Sequence, residues 1–84
     1  MITARQIRAA RVLLGWTQQT LADKACVALT ALKRLESQSG VRTHESTQDR
    51  VHRALRAAGI EFIWGSKGVG VLLREIEEED KTSQ

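Results

Sequence analysis

The sequence predicts a mainly α domain: four short helices followed by a C-terminal β-hairpin. Two observations carry that expectation. Up to Gly59 the apolar residues recur at helical spacing, in segments separated at Gly15 and Gly40. After Gly59 the character changes to two β-branched or aromatic runs around a glycine-flanked turn. With 84 residues, 42% of them hydrophobic, the chain suffices for one domain with a modest core. Aromatic rings are few (Trp16, Phe62 and Trp64), so small aliphatic side chains must fill most of that core.

Each element has its own justification. Residues 4–14 favour helix, with Thr3 as N-cap, Ile7, Ala10 and Leu14 on one face and Leu13 beside them. Gly15 suits the left-handed position that ends a helix. Thr17 caps a second helix over about 18–25, with Leu21, Ala22 and Ala25 inward. A third runs from about Ala28 to Ser37, with Leu32 and Leu35 inward. Residues 38–44 are polar, contain Gly40 and read as a loop. A fourth helix covers about 46–58: Ser46 caps it, Asp49 suits its first turn, Gly59 stops it, and Val51, Leu55 and Ala58 form its stripe. Ile60 to Trp64 and Val69 to Leu73 are the strands, and Gly65-Ser66-Lys67-Gly68 is their turn. An isolated hairpin is marginal in water, so this one must pack on the helices or pair with a second copy. The chain thus divides into a helical domain over 1–59, a hairpin over 60–73 and an acidic tail over 74–84. Trp16 is expected in the core, fixing the first helix against the last.

Charge separates along the chain. Residues 1–60 carry ten Lys/Arg and four Asp/Glu, whereas residues 61–84 carry three and six. A strongly basic front suits a surface that faces phosphate. The tail Glu75-Ile76-Glu77-Glu78-Glu79-Asp80 reads as a solvated end; its sharper reading is an electrostatic brake on non-specific DNA binding. No apolar run approaches the ~20 residues needed to span a bilayer, and Arg5, Arg8 and Arg11 interrupt any signal-peptide block. The lone Cys26 excludes an internal disulfide, and His44 and His52 have no third ligand nearby. No nucleophile–base set or phosphate loop appears; Gly65-Ser66-Lys67-Gly68-Val69-Gly70 lacks the spacing and the following helix of one. The expectation is a cytoplasmic protein that is not an enzyme and has no cofactor, no metal, no membrane partner and no small-molecule ligand.

Residues 18–37, QQTLADKACVALTALKRLES, carry the functional signal. Two short helices meet at a tight turn, with the small Ala22 at their crossing and Val27, Leu32 and Leu35 on the inner side. Ala28, Leu29, Thr30, Lys33 and Arg34 are left facing outward. This is a helix-turn-helix, a device that lays its second helix in the major groove of DNA. An ordinary helical hairpin is the bland alternative, and the basic charge argues against it. The segment GWTQQTLADKACVALTALKRLE resembles the helix-turn-helix of the Cro/cI-type repressors, the xenobiotic-response-element (XRE) family of bacterial and phage regulators. The resemblance covers about residues 3–58. It implies a lambda-repressor-like four-helix fold, and the whole layout is similar to short single-domain regulators of bacteria and mobile elements.

Carried over by position, the resemblance implies that Gln18, at the start of the second helix, bonds a DNA phosphate. Leu29, Thr30 and Lys33 would meet base edges, with Ala28 and Arg34 at the margins of that surface. Arg42, Thr43 and His44 would meet the DNA backbone. Arg11 and Glu36 stand where the family has a buried ion pair joining its first and third helices, which reads as scaffold.

Three residues depart from the family pattern. Cys26 replaces a turn glycine, where positive φ costs a side-chain-bearing residue on the order of 1 kcal/mol. It is read as a substitution tolerated by a turn that has drifted from ideal geometry rather than as a redox or metal switch. Ala28 replaces the usual Ser or Thr cap of the recognition helix, a loss of roughly 1 kcal/mol at that end. Leu29 replaces a polar base reader and leaves apolar contacts, for instance with thymine methyl groups. Arg5, Arg8, Arg50, Arg53 and Arg56 are read as solvated faces. Ile60, Phe62, Trp64, Val69 and Val71 are candidates for a dimer interface. The resulting expectation is a DNA-binding transcription regulator, a repressor acting as a homodimer on a pseudo-palindromic operator near its own promoter. The rival is a protein-interaction module of the antitoxin or antiactivator type.

Overall fold

The computed structural model describes residues 2–37 and 45–75. Helix α1 (Ala4–Leu14) begins with a reciprocal capping box. The Thr3 hydroxyl accepts from the Gln6 N–H at 3.1 Å, and the Gln6 side-chain oxygen accepts from the Thr3 N–H at 3.0 Å. Gly15 ends α1 in the left-handed region at φ 72°. Helix α2 (Gln18–Ala25) is capped by Thr17, whose hydroxyl accepts from the Thr20 N–H at 3.0 Å. Helix α3 (Leu29–Glu36) is one residue shorter at each end than the sequence suggests: Ala28 and Ser37 are its caps. Helix α4 (Glu45–Ala57) already contains Ser46, so Ser46 is not its cap. Glu45, placed in the first turn, suits the positive end of the helix. Residues 38–44, read from sequence as a loop, lie outside the described residues.

Strand β1 (Ile60–Gly65) pairs antiparallel with β2 (Gly68–Leu73), from Ile60 opposite Leu73 to Gly65 opposite Gly68. Each strand is one residue longer at the turn than expected, which leaves Ser66-Lys67 as the connection. Gly59 carries the chain from α4 into the hairpin at φ 107°, with its carbonyl accepting from the Arg74 N–H at 2.8 Å. A Cβ at Gly59 would lie 3.1 Å from the Arg74 carbonyl oxygen, so a side chain there meets both an unfavourable backbone and a close neighbour.

The core is aliphatic: Ile2, Ile7, Ala10, Leu21, Ala22, Ala25, Leu32, Val51, Leu55 and Ile60. Ala22 is fully buried, which lets α2 and α3 cross closely. Leu13, expected beside the inward face of α1, is instead 47% exposed. It lies about 100° round the helix from Leu14, which falls in line with Ile7 and Ala10. Trp16 is half-buried rather than central. It lines a shallow cleft with Ala54 and Ala57 of α4 and Ala58 just beyond it, and the Lys24 ammonium sits 5.4 Å from its ring centre.

The hairpin lies against α1 and α4. Ile60 enters the core, and Phe62, Val71 and Leu73 pack on it from the same face of the sheet. Gln6, at 2% exposure, fastens the hairpin from α1: its amide nitrogen donates to the Gly70 carbonyl at 2.9 Å and the Ile63 carbonyl at 3.3 Å. Phe62 also meets His52 in a T-shaped contact at a ring separation of 4.8 Å.

Candidate nucleic-acid interface

The candidate surface is built from the turn outward. Cys26 adopts φ 59°, ψ 45°, a regular left-handed cap whose N–H bonds to the Ala22 and Asp23 carbonyls. The expectation of a turn drifted from ideal geometry is therefore corrected. The turn keeps the glycine-type conformation, and Cys26 bears its strain. Its side chain is exposed, so no packing opposes the fit. Arg50 of α4, read from sequence as part of a solvated face, donates to the Cys26 carbonyl at 3.2 Å and ties the turn to α4. Arg53 instead pairs with Asp49 one turn earlier at 3.0 Å, both exposed.

On α3 the outward residues separate into two groups. Ala28, Thr30, Lys33 and Arg34 are exposed. Among the described residues, neither Lys33 nor Arg34 pairs with a carboxylate. Leu29 is half-buried and packs against the core, so part of its side chain is spent inside the protein. Ala28 offers no side-chain bond to the first turn of α3, leaving that end without a cap. Arg42, Thr43 and His44 lie outside the described residues.

Below this surface sits a hydrogen-bonded cluster around Glu36, which is 3% exposed. Arg11 meets its carboxylate with two bonds, Nε to Oε2 at 3.0 Å and Nη2 to Oε1 at 3.1 Å. The third guanidinium nitrogen of Arg11 donates to the Trp16 carbonyl at 3.2 Å. Gln18 donates its amide nitrogen to Glu36 Oε1 at 3.1 Å. Arg8, also read from sequence as solvated, is half-buried and donates to the Glu36 backbone carbonyl. Thus α1, through Arg8 and Arg11, and the first residue of α2 converge on the last residue of α3, and Arg11 also ties in the α1–α2 connection at Trp16. Among the described residues no buried side-chain polar atom lacks a partner. That completeness is what a buried charge requires, because one left unpaired costs about 3–5 kcal/mol.

Read from sequence, Gln6 has no role, and Arg8 and Arg50 lie on solvated faces. Gln6 had a legible signal, since Thr3-x-x-Gln6 is a capping-box spacing. Arg8 lies three residues before Arg11 and so shares its helix face. Arg50 carries no such signal: its bond to the turn exists only because α4 passes beside it.

Of the residues expected at a dimer interface, Ile60 is buried in the protomer's own core, and Phe62 and Val71 pack against that core. Trp64 and Val69 are 49% and 56% exposed on the overhanging end of the same sheet face. Ile63 and Leu72 are exposed on the opposite face.

A left-handed turn between two short helices, an outward-facing α3 whose Lys33 and Arg34 pair with no carboxylate among the described residues, and a buried brace at Glu36 are the features of a helix-turn-helix. The helix-turn-helix family model matches residues 7–62, and the chain belongs to this XRE-type, Cro/cI-like family of DNA-binding transcription regulators. It is a DNA-binding family rather than an enzyme family. No curated protein matches the chain. No helix among the described residues is long and apolar enough to cross a membrane.

Proposed function

We propose that this regulator is a repressor that acts as a dimer on a pseudo-palindromic operator near its own promoter. The observation that carries the reading is the exposed set Thr30, Lys33 and Arg34 on α3, a helix braced from behind through Glu36. In this reading two copies of α3 enter successive major grooves about 34 Å apart and block the promoter by occupancy. Thr30 and Lys33 hydrogen-bond base edges, the outward part of Leu29 meets thymine methyls, and Ala28 and Arg34 flank them. Gln18 donates to a phosphate at the start of α2, and Arg42, Thr43 and His44 meet the DNA backbone. The dimer forms through the exposed end of the hairpin, Trp64 and Val69, while Ile60 serves the core of each protomer.

The test is a footprint on the DNA flanking the protein's own coding region, repeated with Lys33→Ala. Loss of sequence preference with the fold intact is expected. Unchanged preference and affinity would show that the readout face is elsewhere. Sedimentation of the free and DNA-bound protein tests the dimer, and a monomer in both states removes it. Leu29 and Ala28, which weaken polar readout, favour an antitoxin or antiactivator role as the second reading. Affinity for DNA that falls steeply with salt separates the two, because each neutralised phosphate adds about 0.9 to the logarithmic slope.

A further inference from the structure

The Glu36 carboxylate holds more than an ion pair needs. Arg11 occupies both of its oxygens, yet Oε1 also accepts from the Gln18 amide at 3.1 Å. Ionised, the carboxylate is acceptor-only, so the amide must turn its nitrogen, not its oxygen, toward it. That nitrogen carries two hydrogens, and the bond to Glu36 uses one. Gln18 is the first residue of α2, at the helix end whose unpaired N–H groups attract anions.

We propose that Glu36 is a positioning residue for DNA contact: it fixes the Gln18 amide so that the second N–H is held ready for a phosphate oxygen at the start of α2. The inference rests on the reading that Gln18 meets DNA. Three consequences follow from the geometry. The side-chain ordering that a free glutamine would undergo on binding is completed during folding instead. Arg11 neutralises the carboxylate, so an approaching phosphate does not meet a bare negative charge. Because the same carboxylate braces α3, phosphate contact and recognition-helix placement become coupled, and by reciprocity DNA tightens the cluster that orients Gln18.

A labelled short duplex of arbitrary sequence at low salt is the probe, since a phosphate contact needs no particular base. Gln18→Met should weaken binding about ten- to hundredfold, the scale of one hydrogen bond to a charged group. The double variant Arg11→Met/Glu36→Leu removes the buried charges together, which tolerates folding better than removing one. It should lose a similar factor, and adding Gln18→Met to it should change nothing further. Equal, independent losses that multiply in the triple variant would overturn the inference. So would wild-type affinity in Gln18→Met. The side-chain amide of Gln18 in the wild-type protein gives a readout that needs no variant. In the free protein one of its two protons, bonded to Glu36, should resonate away from the free-amide position, and the other should shift on adding the duplex; both protons at the positions of a solvated glutamine overturn the proposal even if the double variant does not fold. Wild-type protein that shows no salt-dependent binding would instead remove the DNA reading on which the inference stands.

Discussion

Replacing Gln6 by Leu should loosen the hairpin from the helices while leaving the helices themselves formed. Leucine keeps the volume but removes three bonds: the donations to Gly70 and Ile63 and the acceptance from the Thr3 N–H. The bond between the Thr3 hydroxyl and the backbone N–H of residue 6 survives, so α1 keeps half of its capping box. At about 1 kcal/mol for each neutral bond, and less for the long one to Ile63, the loss is about 2–3 kcal/mol. The added apolar burial of leucine returns about 1 kcal/mol. The net is a destabilisation of about 1–2 kcal/mol, or roughly 5–15 °C in Tm for a domain of this size. Urea unfolding followed by far-UV circular dichroism gives the total. Trp64 fluorescence in a Trp16→Phe background, with amide exchange of β1 and β2, locates it. The hairpin amides should exchange faster than those of α2, which packs chiefly on α3 and α4. A stability change below about 0.5 kcal/mol, or uniform acceleration across the chain, would refute the assignment of Gln6 as the fastening.

Cys26→Gly should stabilise the protein slightly. Relief of left-handed strain returns about 1–2 kcal/mol, the greater freedom of glycine in the unfolded chain takes back about 0.4–1, and an equilibrium melt reads the difference. A destabilised variant would mean that the Cys26 side chain does more than occupy the turn. Arg50→Met should cost about 1 kcal/mol or less, since its bond to the Cys26 carbonyl is exposed, yet it should broaden the amide resonances of residues 26–30. Unchanged spectra there would remove Arg50 as a tie between α4 and the turn. The pKa of His52 is lowered, first by burial and then by the nearby Arg56. The folded state therefore prefers the neutral ring, and stability rises with pH from its lowered pKa up to the ordinary histidine value of about 6.5. His52→Gln should flatten that part of the stability profile; an identical slope in wild type and variant would contradict it.

Much of the fold was legible because its signals are local. Apolar spacing, Thr3, Thr17, Gly15 and Gly59 specify four helices and their ends through nearest neighbours in sequence. The change of pattern at Ile60 specifies the hairpin for the same reason, since strand alternation and turn residues act over a few positions. The outward face of α3 was legible too, because helical spacing alone divides inward Leu32 from outward Thr30, Lys33 and Arg34. Errors of one residue at Ala28, Ser37 and Glu45 arose where backbone geometry, rather than residue type, decides where a helix begins or ends.

By itself, then, the sequence determined the order of elements, the helix-turn-helix and the residues α3 turns outward. Tertiary structure decided what long, polar side chains do. Gln6, Arg8 and Arg50 reach partners 24 to 64 residues away, across elements whose packing no local pattern encodes. The same packing took Ile60 out of any open interface and half-buried Leu29. It also held Cys26 in a conformation that its own preferences oppose, because the close crossing of α2 and α3 at Ala22 requires it. Local preferences amount to about 1 kcal/mol for such a residue, and the buried core around that crossing outweighs them.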